Sequence, residues 1–121
     1  MGRSILVVDD SATVRQQVNM FLTSQGFSVT EACDGADGLA KAKAARPDLI
    51  IADVNMPIMN GIEMIAALRK VPGLTTTPIF VLTTASGDRV AEGKKVGATA
   101  WIIKPFKPDT LLMGIKKALG I

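Results

Sequence analysis

The stretch Leu49-Ile50-Ile51-Ala52-Asp53 sets four apolar residues in a row directly before a carboxylate. A short apolar run without alternation is typical of a strand that is buried on both faces, as in a parallel sheet. Similar runs cover residues 4–8, 79–82 and 100–103, and a weaker one covers residues 27–32. The sequence therefore predicts five strands.

Segments with helical spacing separate these runs. Apolar residues of the first segment recur at i, i+4, i+7 and i+8, which predicts an amphipathic helix that ends at Gly26: Val14, Val18, Phe21 and Leu22. Further helices are predicted over residues 36–45 (ended by Pro47), 62–71, 90–96 and 109–119. Strands that alternate with helices, without a linker, predict one α/β domain over residues 1–121, with helices on both faces of a parallel sheet.

The composition excludes several kinds of chemistry. The 121 residues include no histidine, which excludes Ser-His-Asp and Cys-His nucleophile systems, histidine-ligated zinc and a phosphohistidine on this chain. A single cysteine, Cys33, excludes an internal disulfide, and we expect this residue to be inert. No apolar run approaches the roughly 20 residues that span a membrane, and no signal-peptide pattern opens the chain, so we expect a cytoplasmic protein.

The net charge of +3 is unevenly distributed along the chain. Residues 1–63 hold eight acidic and five basic residues, whereas residues 64–121 hold three acidic and nine basic ones. The basic residues include two short pairs on predicted helices, Lys94-Lys95 and Lys116-Lys117, and aromatic residues make up only 4% of the chain. We therefore expect solvated helix faces rather than a nucleic-acid surface.

Charged or hydroxyl side chains follow four of the five predicted strands: Asp9 and Asp10, Asp53, Thr83, and Lys104. Ligands of open α/β sheets bind outside the carboxyl ends of the strands, so we expect these side chains to lie together. Clustered carboxylates repel one another unless a cation joins them, and Mg²⁺ prefers oxygen ligands. An aspartate beside Mg²⁺ can attack phosphorus, and a hydroxyl and an ammonium suit phosphoryl oxygens. The sequence predicts a site that receives a phosphoryl group.

Motifs across nearly the whole chain resemble the receiver domain of two-component response regulators, most closely the stand-alone chemotaxis (CheY-like) type. The matching segments are Val7-Val8-Asp9-Asp10, Ala52-Asp53-Val54-Asn55-Met56-Pro57, Met59-Asn60-Gly61, residues 78–83, Gly97-Ala98 and Lys104-Pro105-Phe106. The resemblance implies a flavodoxin-like, doubly wound (βα)5 fold with strand order 2-1-3-4-5. It also implies a phosphorylation-activated signalling switch rather than an enzyme, with at most slow self-dephosphorylation.

The resemblance implies roles at the metal and acceptor positions. Asp53 would be the phosphoacceptor. Asp9 and Asp10 would hold Mg²⁺, or Mn²⁺ in its place, together with Asp53 and the backbone carbonyl of Asn55.

The same resemblance implies roles at the ends of the last two strands. Thr83 would follow the phosphoryl group, and Lys104 would pair with one of its oxygens. The Lys104-Pro105 peptide bond would be cis. Trp101 would be the switch aromatic, at a position where the family usually has Tyr or Phe.

Partners are implied as well. A histidine kinase of the chemotaxis type would donate the phosphoryl group. A flagellar motor switch protein, or a histidine phosphotransfer protein, would receive the signal. We expect a monomer that binds neither nucleic acid nor a membrane.

Other functions remain open at this stage. The alternatives to the chemotaxis role are a phosphorelay intermediate and the receiver fragment of a larger regulator. An aspartate-nucleophile phosphatase of the haloacid-dehalogenase kind is disfavoured, because Asn55 stands where that family has an acid/base aspartate.

Each assignment also has a plainer alternative. Asp10 would cap the first helix, and Asp53 would be a turn residue. Thr83 would be an ordinary strand-end hydroxyl, Lys104 a surface lysine, and Trp101 a half-buried residue of an edge strand.

The chain departs from the family pattern in three ways. Thr84 stands where the family often has a small alanine, Trp101 is bulkier than the usual aromatic residue, and the interval of 21 residues from Thr83 to Lys104 is one shorter than expected.

Overall fold

The chain alternates strands with helices. The computed structural model describes residues 3–54, 58–83, 95–103 and 107–121, and for Thr83 the backbone alone. The elements within these residues are β1 (Ser4–Val8), α1 (Ala12–Ser24), β2 (Ser28–Ala32), α2 (Gly35–Ala45), β3 (Leu49–Ala52), α3 (Gly61–Leu68), β4 (Ile79–Thr83), β5 (Ala100–Ile103) and α4 (Pro108–Leu119).

The five strands form one parallel sheet in the order β2-β1-β3-β4-β5. This order and the doubly wound α/β fold confirm the prediction. Both β1 and β3 have a neighbour on either side, and all four residues of β3 are buried. The continuous apolar runs are therefore explained by burial of both faces of the sheet.

Alternate residues of these strands supply two separate cores. Leu6, Val8, Ile50 and Ala52 point to one face, where α3 covers them with Met64, Ile65 and Leu68. Ile5, Val7, Leu49 and Ile51 point to the other face, where α1 and α4 cover them with Val18, Leu22, Leu111 and Ile115. The period of two along each strand sends successive side chains to opposite layers.

The helix predicted over residues 62–71 is shorter than expected. It ends at Leu68, three residues early, and the chain continues in a tight turn in which the Val71 N–H donates to the Leu68 carbonyl at 3.0 Å. Pro72 follows Val71, and a proline disfavours helical backbone in the residue before it. The apolar character of Val71 is therefore a feature of the turn and not of the helix.

The other helices start and end close to their predicted positions. Of the helix predicted over residues 90–96, positions 90–94 lie outside the described residues, and Lys95 and Val96 are helical. No helix in the described parts of the chain is long and apolar enough to cross a membrane.

Candidate functional site

The pairing of β1 with β3 brings two aspartates side by side. Val8 and Ala52 are partners in the parallel register, so Asp9 and Asp53 leave neighbouring strands at the same level. The Asp53 N–H donates to the Val8 carbonyl at 3.0 Å, and the Asp9 N–H donates to the Ala32 carbonyl at 3.1 Å. The backbone of both residues is thus fixed by the sheet itself.

Three carboxylates converge at this edge of the sheet. One oxygen from each of Asp9, Asp10 and Asp53 lies within 4.8 Å of the other two. Asp9 is only 2% exposed and Asp53 8% exposed, whereas Asp10 is open to solvent. Carboxylates this close repel one another unless a cation lies between them, and an all-oxygen donor set with one side open to water suits Mg²⁺.

Backbone N–H groups orient two of the three carboxylates. Asp9 Oδ1 accepts a hydrogen bond from the Ser11 N–H at 2.9 Å, and Asp53 Oδ1 accepts one from the Val54 N–H at 2.7 Å. Hydrogen bonds to an ionised carboxylate are charge-assisted and comparatively strong. Both side chains therefore have a defined direction at the ends of their strands.

The capping alternative for Asp10 is wrong. Ser11 is the N-cap of α1, and its hydroxyl accepts a hydrogen bond from the Val14 N–H at 3.3 Å. Because Ser11 satisfies the first turn of the helix, the Asp10 carboxylate is available to the acidic cluster.

The first turn of α3 lies against the strand end that carries Asp53. The Gly61 N–H donates to the Val54 carbonyl at 2.9 Å, and a Cβ atom on Gly61 would stand 2.1 Å from the Asp53 carbonyl oxygen. Asn60 caps α3 through a reciprocal capping box with Glu63, with hydrogen bonds of 2.8 and 3.1 Å. Only glycine permits this approach.

The segment just before α3 also includes a strained residue. Ile58 has a φ of 69° and is 83% exposed. A β-branched residue in the left-handed region is a genuine outlier. The next residue, Met59, accepts a hydrogen bond at 3.0 Å from the Gly35 N–H at the start of α2, and this bond helps to hold the segment in place.

The remaining predicted site residues are described in part. Asn55, Thr84, Lys104 and Pro105 lie outside the described residues. Thr83 ends β4, and its backbone pairs with Ile103, the residue directly before Lys104.

Trp101 lies on β5 opposite Val81 and is half-buried against the core on the α3 face. This position is compatible with both a switch residue and an ordinary residue of the edge strand. The switch role therefore stays a prediction.

Cys33 is exposed at the end of β2. Local desolvation and the negative charges of Asp34 and Asp37 raise the pKa of its thiol, which favours the unreactive protonated form. The expectation that this cysteine is inert agrees with this environment.

Sequence reasoning missed Arg15. Its Nη1 donates to the backbone carbonyl of Asp9 at 2.6 Å, and its Nε forms an ion pair with Glu31 at 3.1 Å. The available signal was Glu31 itself, a charged residue within the weakest of the five predicted strands.

With its fold and acidic cluster established, the chain belongs to the response regulator receiver domain family, whose model matches residues 5–116. Among solved structures it is similar to the chemotaxis protein CheY4 of Vibrio cholerae, with 46% identity, a TM-score of 0.93 and coverage of 98% of this chain and 100% of that one. It is also similar to the receiver domain of the sensor histidine kinase PA1611 from Pseudomonas aeruginosa PAO1, with 28% identity, a TM-score of 0.92 and full coverage of both chains. In that structure a magnesium ion is coordinated in the active site cleft.

The chain is also 38% identical over 117 residues to the transcriptional regulatory protein PrrA of Mycobacterium leprae. The match covers 95% of this chain but only 49% of PrrA. The chain thus spans about half the length of this relative.

Proposed function

We propose that this receiver domain, spanning residues 1–121, is a phosphorylation-activated signalling switch that accepts a phosphoryl group on Asp53 from a histidine kinase. The observation that carries the proposal is the convergence of Asp9, Asp10 and Asp53 within 4.8 Å at the carboxyl ends of β1 and β3. Asp53 is buried at the end of the central strand β3 and is oriented by the Val54 N–H. These features suit a carboxylate that must meet a phosphorus atom in one defined direction.

The proposed transfer exchanges one bond to phosphorus for another. A carboxylate oxygen of Asp53 bonds to phosphorus while the bond from phosphorus to the donor's imidazole nitrogen breaks. The released imidazole takes up a proton, and the chain carries an acyl phosphate. Catalysis of such a transfer is mostly a matter of position and charge, which a rigid strand end supplies.

Asp9, Asp10 and Asp53, together with the backbone carbonyl of Asn55, would hold Mg²⁺, or Mn²⁺ in its place. The three carboxylates are hard oxygen donors at a suitable separation, and the exposed Asp10 leaves that side open to water. The magnesium ion in the PA1611 receiver domain supports this assignment by analogy. When bound, Mg²⁺ neutralises charge on the transferred phosphoryl oxygens.

Thr83 and Lys104 would contact the phosphoryl group from the other side. β4 ends at Thr83, and its partner in the register is Ile103, which directly precedes Lys104 in the sequence. A cationic and a neutral donor suit the charge on the phosphoryl oxygens. We propose in addition that the Lys104-Pro105 bond is cis and that Trp101 is the switch aromatic.

We assign the output of the switch to chemotaxis. The similarity to CheY4, at 46% identity over the whole of that chain, supports this assignment. The donor would be a chemotaxis-type kinase and the target a flagellar motor switch protein. We further propose a cytoplasmic monomer that signals without turnover of a substrate.

A longer regulator is the second candidate, because PrrA matches this chain over only half of its own length. In that case the output would pass to an attached domain. A relay role, with a histidine phosphotransfer protein as partner, is the third.

Acetyl phosphate tests the acceptor assignment directly. Wild type mixed with acetyl phosphate and Mg²⁺ should gain one phosphoryl group by intact-mass spectrometry, and Asp53→Asn should gain none. Asp109→Asn, which removes an exposed carboxylate in the first turn of α4, is the matched control and should label like wild type. Equal labelling of the Asp53→Asn protein would disprove the assignment.

Partner binding distinguishes the output candidates. The chemotaxis assignment predicts that phosphorylation strengthens binding to a flagellar switch peptide. Phosphotransfer to a histidine phosphotransfer domain without such binding would favour the relay instead. Hydrolysis of p-nitrophenyl phosphate beyond one equivalent would point to a phosphatase.

A further inference from the structure

We propose that Arg15 is a positioning residue for the cation site: it holds the Asp9-Asp10 segment in the geometry that binds Mg²⁺. The inference rests on the proposed function, because it concerns the same acidic cluster. Arg15 lies in the first turns of α1, and its side chain reaches back to the end of β1. There Nη1 donates to the Asp9 carbonyl oxygen at 2.6 Å.

This contact completes the restraint of the Asp9 backbone. The Asp9 N–H is bonded to the Ala32 carbonyl at 3.1 Å, and the Asp9 carbonyl is bonded to Arg15. Its side-chain Oδ1 accepts from the Ser11 N–H at 2.9 Å. Three segments, β2, α1 and the turn between β1 and α1, therefore converge on one residue of the cluster.

Glu31 in turn orients the guanidinium of Arg15. Its Oε1 lies 3.1 Å from Arg15 Nε, and its Oε2 accepts from Asn19 Nδ2 at 2.7 Å. The Arg15 and Glu31 side chains are only 18% and 33% exposed, so the pair is better shielded than an ordinary surface ion pair. Glu31 lies opposite Val7 in the register of β1 and β2, two residues before Asp9.

Arginine is suited to this task by its shape. The planar guanidinium presents several donors in a fixed fork, so one side chain can bind the Glu31 carboxylate and the Asp9 carbonyl at once. A lysine ammonium in the same place retains the charge but not the fork. Outer contacts of this kind typically affect metal affinity by 10–100-fold when they are removed.

The direction of the change in Mg²⁺ affinity distinguishes a positioning role of Arg15 from an effect of its charge alone. A cation in contact with Asp9 opposes the approach of Mg²⁺, so a pure charge effect predicts tighter Mg²⁺ binding when Arg15 is neutralised. A positioning role predicts weaker binding. The two predictions are opposite, and one titration decides between them.

The experiment is a Mg²⁺ titration of the full chain, followed through the dependence of the melting temperature on Mg²⁺ concentration. Arg15→Gln should bind Mg²⁺ about tenfold more weakly than wild type. Arg15→Lys should bind it several-fold more weakly. The matched control is Arg3→Gln, which removes an exposed arginine just before β1, roughly 20 Å from Asp9 at 3.3 Å per residue, and should leave the affinity unchanged.

Each outcome has a defined meaning. Arg15→Gln could have a lower melting temperature without Mg²⁺ and yet bind Mg²⁺ with unchanged affinity. Arg15 would then stabilise the fold without positioning the metal site, and the inference would be overturned. Equal or tighter binding would overturn it as well. If Arg15→Gln does not fold, Arg15→Lys decides: wild-type affinity rejects the positioning role, and weaker binding supports it. If wild type itself shows no response to Mg²⁺, the proposed metal site fails, and the inference falls with it.

Discussion

Gly61 and Asp53 are in backbone contact: a Cβ atom added to Gly61 would stand 2.1 Å from the Asp53 carbonyl oxygen. The N-terminus of α3 is therefore seated on the strand end that carries the candidate acceptor. Contact with backbone leaves no flexible side chain that could move aside.

Gly61→Ala should therefore destabilise the fold by about 1–3 kcal/mol, the usual cost of overpacking, and should also slow labelling by acetyl phosphate. Urea unfolding measures the first effect and intact mass the second. Gly114→Ala in α4 is the control. Its Cβ would lie 3.3 Å from the Phe80 ring, and the gain in helix propensity, about 1 kcal/mol, offsets that close contact. A Gly61→Ala protein as stable as wild type would contradict the close approach.

Substitution of Ile58 should stabilise the folded protein. At its φ of 69°, a β-branched side chain costs about 1–2 kcal/mol, whereas asparagine or glycine tolerates this backbone. Ile58→Asn and Ile58→Gly should therefore raise the free energy of unfolding by about 1 kcal/mol. Ile58→Val keeps the branch and should bring no gain. If valine stabilises as much as asparagine, removal of exposed apolar surface is the cause rather than relief of strain.

Arg69, directly after α3, connects the end of this helix with two other parts of the chain. Its guanidinium donates to the carbonyls of Leu74 at 3.0 Å, Thr77 at 2.7 Å and Gly97 at 2.7 and 3.2 Å. Arg69→Met should cost about 3 kcal/mol of stability, because partly buried carbonyls lose a charged donor. Lys70→Met, a change at the exposed neighbouring residue, should cost less than about 0.5 kcal/mol. Similar losses of stability in Arg69→Met and Lys70→Met would show that the hydrogen bonds of the Arg69 guanidinium contribute nothing to stability.

The environment of Asp37 leads us to expect that the folded protein loses some stability in acid. A hydrogen bond from the Cys33 N–H, 3.1 Å long, has the largest effect and lowers the pKa of the Asp37 carboxyl. Desolvation opposes this shift, and Lys41 at 3.2 Å lowers the pKa further. The folded pKa lies below the unfolded one, so the stabilisation is present above the unfolded pKa. It disappears as the pH falls through the folded pKa.

Asp37→Asn should therefore lose stability at neutral pH and match wild type more closely in acid. The difference is small because solvent still reaches the ion pair, whose Lys41 and Asp37 side chains are 43% and 32% exposed. Urea midpoints at neutral and acidic pH measure it, with Asp109→Asn as the control. A constant difference between Asp37→Asn and wild type at all pH values would contradict the assignment.

The sequence was sufficient for the sheet and for the three carboxylates, because both depend on patterns that are local. An apolar run such as Leu49–Ala52 is stable only when it is buried. An aspartate directly after such a run must therefore lie at the carboxyl end of a buried strand. The adjacency of β1 and β3, which brings Asp9 and Asp53 together, follows from the strand order that the family resemblance implies and not from a local pattern.

The features that sequence reasoning missed depend on tertiary contacts. Arg15 and Glu31 are far apart in the chain, and nothing near Arg15 shows that its guanidinium turns towards the Asp9 carbonyl. The left-handed backbone of Ile58 runs against the preference of a β-branched residue, so the residue type alone could not predict it. That Ser11 and not Asp10 caps α1 follows only from the geometry of the first turn.

Asp9 and Asp53 are 44 positions apart in the chain and become neighbours only while β1 and β3 pair in register. A slip of one residue would turn one carboxylate to the opposite face of the sheet, and an unpaired chain has no acidic cluster at all. Under the proposed function, a molecule that has lost this pairing would have no assembled site to accept a phosphoryl group.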